Sequence, residues 1–254
     1  MIIQNEAFSP TPDSIAQISA VINVIRQTGA ELPIWFDRFA SAHLHRIAFD
    51  LALVRGEAPI GSRVLDVGSL PLMLTGALPK AGFRVTGLDI APDRMAAAIA
   101  ALSLDVTQCN VESDKLPLPD KHFDVVVFNE VFEHLRLNPI ETVSELVRVM
   151  AIGGRLFLST PNHLSYANVR RMLFKGRSMD SGVFDEFDKL RTYGAMGHVR
   201  EYTSGDVVDF LERMGLRVDK LIHRGRYGTN LAQAAIRLRP GLRPFFSVIA
   251  TRVA

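Results

Sequence analysis

The chain has 254 residues, 48% of them hydrophobic, with 29 basic and 27 acidic residues and a formal net charge of +2. That length holds one sizeable core with peripheral helices, and no run of about 18 apolar residues is present to span a bilayer. The start, Met1-Ile-Ile-Gln-Asn-Glu, lacks the basic and apolar regions of a secretory signal. The single cysteine, Cys109, excludes an internal disulfide and fits a reducing compartment, so a cytoplasmic protein is expected.

Residues 12–55 carry two helical patterns, one across Ile15, Ile18, Val21, Ile22 and Ile25, the other from Ile34 to Leu53 with Trp35 as a packing residue. They predict an N-terminal helical lid or flank over 1–58, ahead of a main domain at 59–254. Strand 62–67 then leads to a helix opened by Pro71. Strand 83–88 leads to helix 92–101, strand 104–109 follows, and strand 123–128 precedes helix 139–150. Gly153-Gly154 is expected to terminate that helix before strand 155–159. Segment 163–197 breaks the rhythm: it is polar, mixed in charge, and contains glycines at 176, 182, 194 and 197. Loops after sheet strands carry specificity, so it is read as an acceptor-recognition insert, with Tyr193 and Tyr202 as pocket candidates. Helix 204–214, with Thr203 or Ser204 as N-cap and Gly215 as stop, is followed by strands 216–223 and 245–252. Such alternation predicts an α/β, doubly wound, mostly parallel sheet.

Polar residues stand at the carboxyl ends of four successive apolar runs: Asp66 and Gly68, Asp89, Asn110 and Asn129. An open parallel sheet presents its ligand crevice at that edge. After Gly68 the chain reads Ser69, Leu70, Pro71, Leu72, without the spaced glycines of a dinucleotide phosphate cradle. Asp89 lies about 20 residues on, where a carboxylate accepts ribose hydroxyls. A ribose clamp without a phosphate cradle suits an adenosine ligand lacking phosphate, of which S-adenosylmethionine is the common one.

The segments VLDVGS (64–69), VTGLDIAPDRM (85–95), LPLPDKHFDVVVFNEVFEHL (116–135), ELVRVMAIGGRLFLSTPN (145–162) and GHVREYT (197–203) together resemble class I S-adenosylmethionine-dependent methyltransferases of the type 11 kind. The resemblance runs from about Val64 to Tyr202. It implies a Rossmann-like fold with a seven-stranded sheet, S-adenosylmethionine as cofactor, and cofactor contacts from Asp66, Gly68, Ser69, Asp89, Ile90, Asn110, Val111 and Asn129. Leu70 stands where that family usually has a second glycine, and Asn110 where an aspartate usually faces the adenine amino group.

A chemical cluster follows the fourth strand. If a helical turn starts at Glu130, then Glu130, Glu133 and His134 share one face, and His198 lies in GHVREYT. This E-x-x-E-H…H pattern resembles metal-dependent O-methyltransferases, namely plant small-RNA 2′-O-methyltransferases and ubiquinone-biosynthesis O-methyltransferases. That resemblance implies a divalent cation, Mg²⁺ or Mn²⁺ with Zn²⁺ conceivable, held by Glu130, Glu133, His134 and His198. Two other readings stay open: His134 or His198 as a general base without metal, with Glu133 beside them, or a structural role in which Glu133 caps or pairs on the helix.

Seven basic residues and no acidic one lie from Lys220 to the C-terminus, and Arg170, Arg171, Lys175 and Arg177 form another cluster. Such surfaces attract nucleic acid, anionic lipid heads or phosphorylated substrates, so peripheral membrane contact is an expectation. The leading functional reading is O-methylation of a hydroxyl on a small molecule, sugar or surface glycan. Ribose 2′-O-methylation of RNA is the second, disfavoured by the small net charge and the lack of a separate RNA-binding domain. A non-catalytic cofactor-binding scaffold is the third, motivated by Leu70.

Overall fold

A computed structural model describes residues 1–5, 9–28, 35–177, 182–193 and 197–254. In chain order the elements are β1 (Ile2–Asn5), α1 (Pro12–Gln27), α2 (Trp35–Glu57), β2 (Arg63–Val67), α3 (Met73–Ala77), β3 (Arg84–Asp89), α4 (Ala96–Leu102), β4 (Asp105–Gln108) and β5 (Phe123–Asn129). They continue with α5 (Pro139–Val149), β6 (Met150–Pro161), α6 (Tyr166–Lys175), α7 (Val183–Tyr193), α8 (Ser204–Arg213), β7 (Leu216–Arg224), α9 (Asn230–Leu238) and β8 (Phe245–Arg252). The strand order is β1-β7-β8-β6-β5-β2-β3-β4. β2 pairs in parallel with β3 and β5, β3 with β4, and β1 with β7, while β8 runs antiparallel to β6 and β7. This is the α/β, mostly parallel, doubly wound class read from the sequence.

Two compact units share the chain. One comprises Phe8–Val127 and Val149–Gly154. Its strands are short apolar runs: Val64, Leu65 and Val67 of β2 and Val125, Val126 and Val127 of β5 are all buried, as parallel strands covered on both faces require. Helix α1 starts because the Thr11 hydroxyl accepts the Ser14 N–H at 3.1 Å and Pro12 occupies the first turn. Its apolar stripe, Ile18, Val21, Ile22 and Ile25, is buried, and α1 packs on α2, α3 and α4. A Cβ at Gly76 of α3 would meet Val21 Cγ1 at 2.8 Å, so glycine is what lets these two helices approach. Burying such a stripe stabilises the fold by roughly 1.5–3 kcal/mol per large aliphatic side chain.

The other unit comprises Met1–Ala7, Phe128–Arg148 and Arg155–Ala254. Its core takes Leu156, Phe157 and Leu158 from β6, Leu221 and Ile222 from β7, and Phe246, Val248 and Ile249 from β8. Helix α8 opens with a reciprocal capping box: the Thr203 hydroxyl accepts the Asp206 N–H and the Asp206 carboxylate accepts the Thr203 N–H.

Several expectations are corrected. Among the described residues there are eight strands rather than seven, because Ile2–Asn5 adds an edge strand on β7; four residues are too few to show a period. Gly153-Gly154 does not end a helix before a strand at 155. Helix α5 ends at Val149 and β6 begins at Met150, so Gly153, at φ 78°, lies inside the strand. The insert 163–197 contains two helices, α6 and α7, started respectively by Ser165, whose hydroxyl accepts the Asn168 N–H, and near Asp185. No regular helical turn begins at Glu130, which adopts φ 56°; a 3-10 turn spans Phe132–His134 instead. Ile34, Gly194 and the side chains of Trp35 and Tyr193 lie outside what is described.

Candidate active site

The cofactor-contact candidates other than Asn129 belong to the unit built on β2, β3 and β4. Asp66 sits in β2 opposite Gly87 of β3 and Val127 of β5. Its carboxylate is buried, and its Oδ2 accepts a 2.6 Å hydrogen bond from Thr75 of α3. Burial pushes it up to about 7, the Thr75 bond opposes that, and the Asp89 and Asp50 charges add to it. At neutral pH this group is poised to meet an ammonium, which would favour its charged form.

The turn after β2 is folded onto β3. Gly68, at φ 72°, and Ser69 both donate N–H bonds to the Leu88 carbonyl, at 2.8 and 3.0 Å. A Cβ at Gly87 would meet the Ser69 side chain at 3.1 Å, so this glycine, which the sequence reading passed over, gives the turn its seat. The Ser69 hydroxyl is buried with no protein hydrogen-bond partner, an orphan that a polar ligand group would satisfy. Asp89 ends β3, with Oδ2 accepting the Leu70 N–H and Oδ1 the Ala91 N–H, each at 3.0 Å. A carboxylate has about four lone-pair sites, so each oxygen retains capacity for a ribose hydroxyl while its orientation is fixed by backbone. Ile90 is half-buried and its carbonyl accepts from Gln108 at 3.1 Å. Asn110 folds into an Asx turn, its Oδ1 accepting the Glu112 N–H at 3.1 Å, with Val111 half-buried inside that turn. These are the kinds of donor and acceptor that an adenosine with an amino-acid tail would use.

Asn129 ends β5 in the other unit, half-buried. Beyond it, in the same unit, Glu133, His134 and His198 come together: one potential ligand atom from each lies within 4.8 Å of the others. The Glu133 backbone carbonyl accepts N–H bonds from Val199 and Arg200, at 2.9 and 3.3 Å, which brings the His198 loop onto the 3-10 turn. His134 and His198 rings are 5.0 Å apart and nearly perpendicular. Glu130 is not in this trio. Its left-handed backbone turns the carboxylate to the Ser159 hydroxyl, which donates to it at 2.9 Å, and Arg224 Nη2 lies 4.0 Å away. The expected four-residue set is therefore three residues plus a carboxylate held elsewhere.

Each member of the trio is oriented by a neighbour. Glu133 is buried; Oε2 accepts from the Thr160 hydroxyl at 2.9 Å, and Oε1 has no protein partner. Burial, then the Glu130 charge, push Glu133 up to about 8, against the pull of His198 and Thr160. The His134 Nδ1 lies 2.8 Å from the Gly197 carbonyl. A carbonyl only accepts, so Nδ1 carries the proton and Nε2 presents a lone pair. Burial, then His198, hold His134 below the usual histidine range. His198 Nδ1 faces Glu201 Oε1 at 3.5 Å, and Asn168 of α6 donates to the other Glu201 oxygen at 2.6 Å. Burial works against the charged His198 ring, but the Glu201 contact and the Glu133 charge outweigh it and raise its pKa. The His198 N–H is taken by Glu186 Oε2 of α7 at 2.8 Å. Thr160, Glu186 and Glu201 were not singled out from the sequence. Thr160, inside ELVRVMAIGGRLFLSTPN, and Glu201, inside GHVREYT, lay in segments that carry the resemblance, whereas Glu186 had no such signal.

A protein-family model described as a methyltransferase domain matches residues 65–158. A ubiquinone biosynthesis O-methyltransferase of Xanthomonas campestris is 32% identical over 124 residues, 47% of this chain and 51% of that protein. The one from Sodalis glossinidius is 30% identical over 169 residues, 63% of this chain and 66% of that protein. A solved S-adenosylmethionine-dependent methyltransferase from Archaeoglobus fulgidus superposes with a TM-score of 0.57 at 17% identity, covering 86% of this chain and all of its own. Residues 65–158 are thus similar to a methyltransferase domain, and the fold is the one seen in solved S-adenosylmethionine-dependent methyltransferases. The chain spans about half the length of the first curated relatives it matches. The ends of β2, β3 and β4 are the candidate cofactor edge, and the Glu133–His134–His198 trio is the candidate chemical centre.

Proposed function

We propose that this protein transfers the methyl group of S-adenosylmethionine to a hydroxyl of a small acceptor, with Glu133, His134 and His198 holding a divalent cation. The reading is carried by one observation: a buried carboxylate oxygen, Glu133 Oε1, has no protein partner and belongs to a cluster with two imidazoles whose Nδ1 atoms are already directed elsewhere. Histidines that bind metal through one nitrogen commonly have the other tied to a carbonyl or carboxylate, and Gly197 and Glu201 are in those roles. Two imidazoles and one carboxylate suit Mn²⁺ or Zn²⁺ better than Mg²⁺, which prefers an all-oxygen shell. Such a cation, when bound, lowers the pKa of an acceptor hydroxyl.

The chain's own residues supply binding and alignment. Asp89 takes the ribose hydroxyls, Asp66 and Ser69 take the amino-acid tail, and Asn110 and Val111 meet the adenine. The acceptor oxygen attacks the methyl carbon, the carbon–sulfur bond breaks with its electrons going to sulfur, and the hydroxyl proton leaves to a base or water. Because the sulfonium donor is already activated, alignment carries most of the work, a contribution on the order of 7–11 kcal/mol in well-oriented reactions. The relatives are O-methyltransferases, which favours oxygen as the atom methylated, and a three-residue centre favours an acceptor with two vicinal oxygens, such as a catechol or cis-diol sugar.

The test is turnover after exhaustive EDTA treatment, with a catechol and an isolated alcohol compared as acceptors. Loss of activity, restored by Mn²⁺ or Zn²⁺ and greatest on the catechol, is the expected result. Full activity in the metal-free protein would overturn the cation and leave one of the two histidines as a general base.

A further inference from the structure

Helices α6 and α9 pack against each other in the same unit and display an unusual outer face. Leu173 and Phe174 of α6 are 75% and 80% exposed, and Leu231 and Leu238 of α9 are 71% and 88% exposed. Leu173, Phe174 and Leu231 line one open hollow of about 770 Å³ together with Arg170 and Lys175. Single exposed apolar residues are ordinary; four large ones on two packed helices are not.

The charges on these helices have one sign. Arg170, Lys175 and Arg177 are exposed at or just beyond α6, and Arg226, Arg237 and Arg239 are exposed beside or on α9. No acidic residue occurs from Asn162 to Arg177 or from Lys220 to Ala254. Helix α7 also exposes Phe184 and Phe187, but Asp185, Asp188 and Glu186 lie among them. Among the described residues, α6 and α9 thus pair apolar with purely basic side chains where α7 does not. An apolar helix face bordered by Lys and Arg is what an interfacial, membrane-surface helix requires: the rings and aliphatic tips enter the headgroup boundary while the cations meet anionic lipid heads. Among the described residues no helix is long and apolar enough to cross a membrane, so the contact is a seating on the surface.

We infer that the α6–α9 face docks the protein on an anionic lipid bilayer through Leu173, Phe174 and Leu231, with Arg170 and Lys175 on the phosphate-bearing headgroups. This is independent of which acceptor is methylated. It places α6, whose Asn168 holds the Glu201 partner of His198, on the membrane, and makes a lipid-dissolved acceptor reachable without leaving the bilayer.

The full chain is sedimented with vesicles of phosphatidylcholine alone and of phosphatidylcholine containing phosphatidylglycerol. It is expected to partition onto the anionic vesicles only, and less at high salt. Leu173→Ser with Phe174→Ser is expected to lower partitioning at least about tenfold, and Arg170→Glu with Lys175→Glu by about tenfold or more. S-adenosylhomocysteine affinity, measured on each variant by calorimetry, should equal the wild-type value and so reports an intact fold. Wild-type protein that ignores anionic vesicles, or an apolar double variant that binds them as well as wild type, overturns the inference. So does an RNA oligonucleotide that binds the protein more tightly than the vesicles and displaces it from them, which would make the face a nucleic-acid surface.

Discussion

His134 donates its Nδ1 proton to the carbonyl of Gly197 across 2.8 Å, and Gly197 is the residue whose backbone leaves no space for a side chain. With φ at 125°, a Cβ there would lie 2.5 Å from the Glu186 carbonyl oxygen. The carbonyl that fixes the His134 tautomer is therefore positioned by a glycine that only glycine can be. Gly197→Ala should displace it, releasing His134, and lower Mn²⁺ affinity about 10–100-fold, the usual cost of losing an outer partner of a metal-binding histidine. Calorimetric titration with Mn²⁺, beside an S-adenosylhomocysteine titration that stays unchanged, checks this.

The trio itself gives a cleaner separation of roles. His198→Ala and Glu133→Gln should each reduce turnover by about 100-fold or more while leaving S-adenosylhomocysteine affinity within about twofold, because neither residue belongs to the β2–β3–β4 edge. Glu130→Gln should cost much less in Mn²⁺ affinity, since its carboxylate is engaged with Ser159. Equal losses at Glu130 and Glu133 would restore a four-residue centre.

Asp89→Ala should weaken S-adenosylhomocysteine binding by about 10-fold to 100-fold, the range for hydrogen bonds to a charged group at roughly 1.5–3 kcal/mol. It should also lower the melting temperature of the cofactor-free protein, because the Leu70 and Ala91 N–H groups lose their acceptor. Differential scanning fluorimetry with and without ligand separates the two effects.

Asp66 predicts a pH dependence. Burial raises its pKa from 3.8 to about 7, so in the window between those values the folded protein keeps a proton that the unfolded chain has released. Its contribution to stability is complete below about pH 4 and is lost as pH rises through about 7, on the order of a few kcal/mol. Cofactor-free wild type should therefore lose melting temperature between about pH 4 and pH 7, and Asp66→Asn should flatten that decline. A variant whose decline is as steep as that of wild type would remove Asp66 as its source.

The central strands were legible because β2, β5 and β8 centre on apolar residues, and both α1 and α8 open with Thr caps. What escaped reading depends on context. None of the described apolar side chains of α6 and α7 is fully buried, so no buried stripe imposes a clear period. Strand β1 exists because β7 offers an edge. The candidate cofactor-edge residues were placed by strand ends, a local signal. The chemical cluster was read as four residues on one helical face because spacing alone cannot reveal that Glu130 adopts a left-handed backbone. The oriented His198 required Glu186 and Asn168 from the two helices that were not foreseen.

Ser159 and Thr160 are consecutive residues of β6, and each holds a different glutamate, Glu130 and Glu133. Consecutive side chains of a strand point to opposite faces, and a one-residue slip would exchange them. The apolar pattern gives little protection against such a slip, since Leu156, Phe157, Leu158, Ser159 and Thr160 are all buried whichever face they point to. The two hydroxyl–carboxylate pairs are polar keys that a misaligned strand could not satisfy, and leaving a buried carboxylate unpaired is costly. The two pairs therefore also act as a proofreading mark for the alignment of β6 on the Glu130–Glu133 segment that follows β5, so that a chain folded out of step would lose its candidate chemical centre and its stability together.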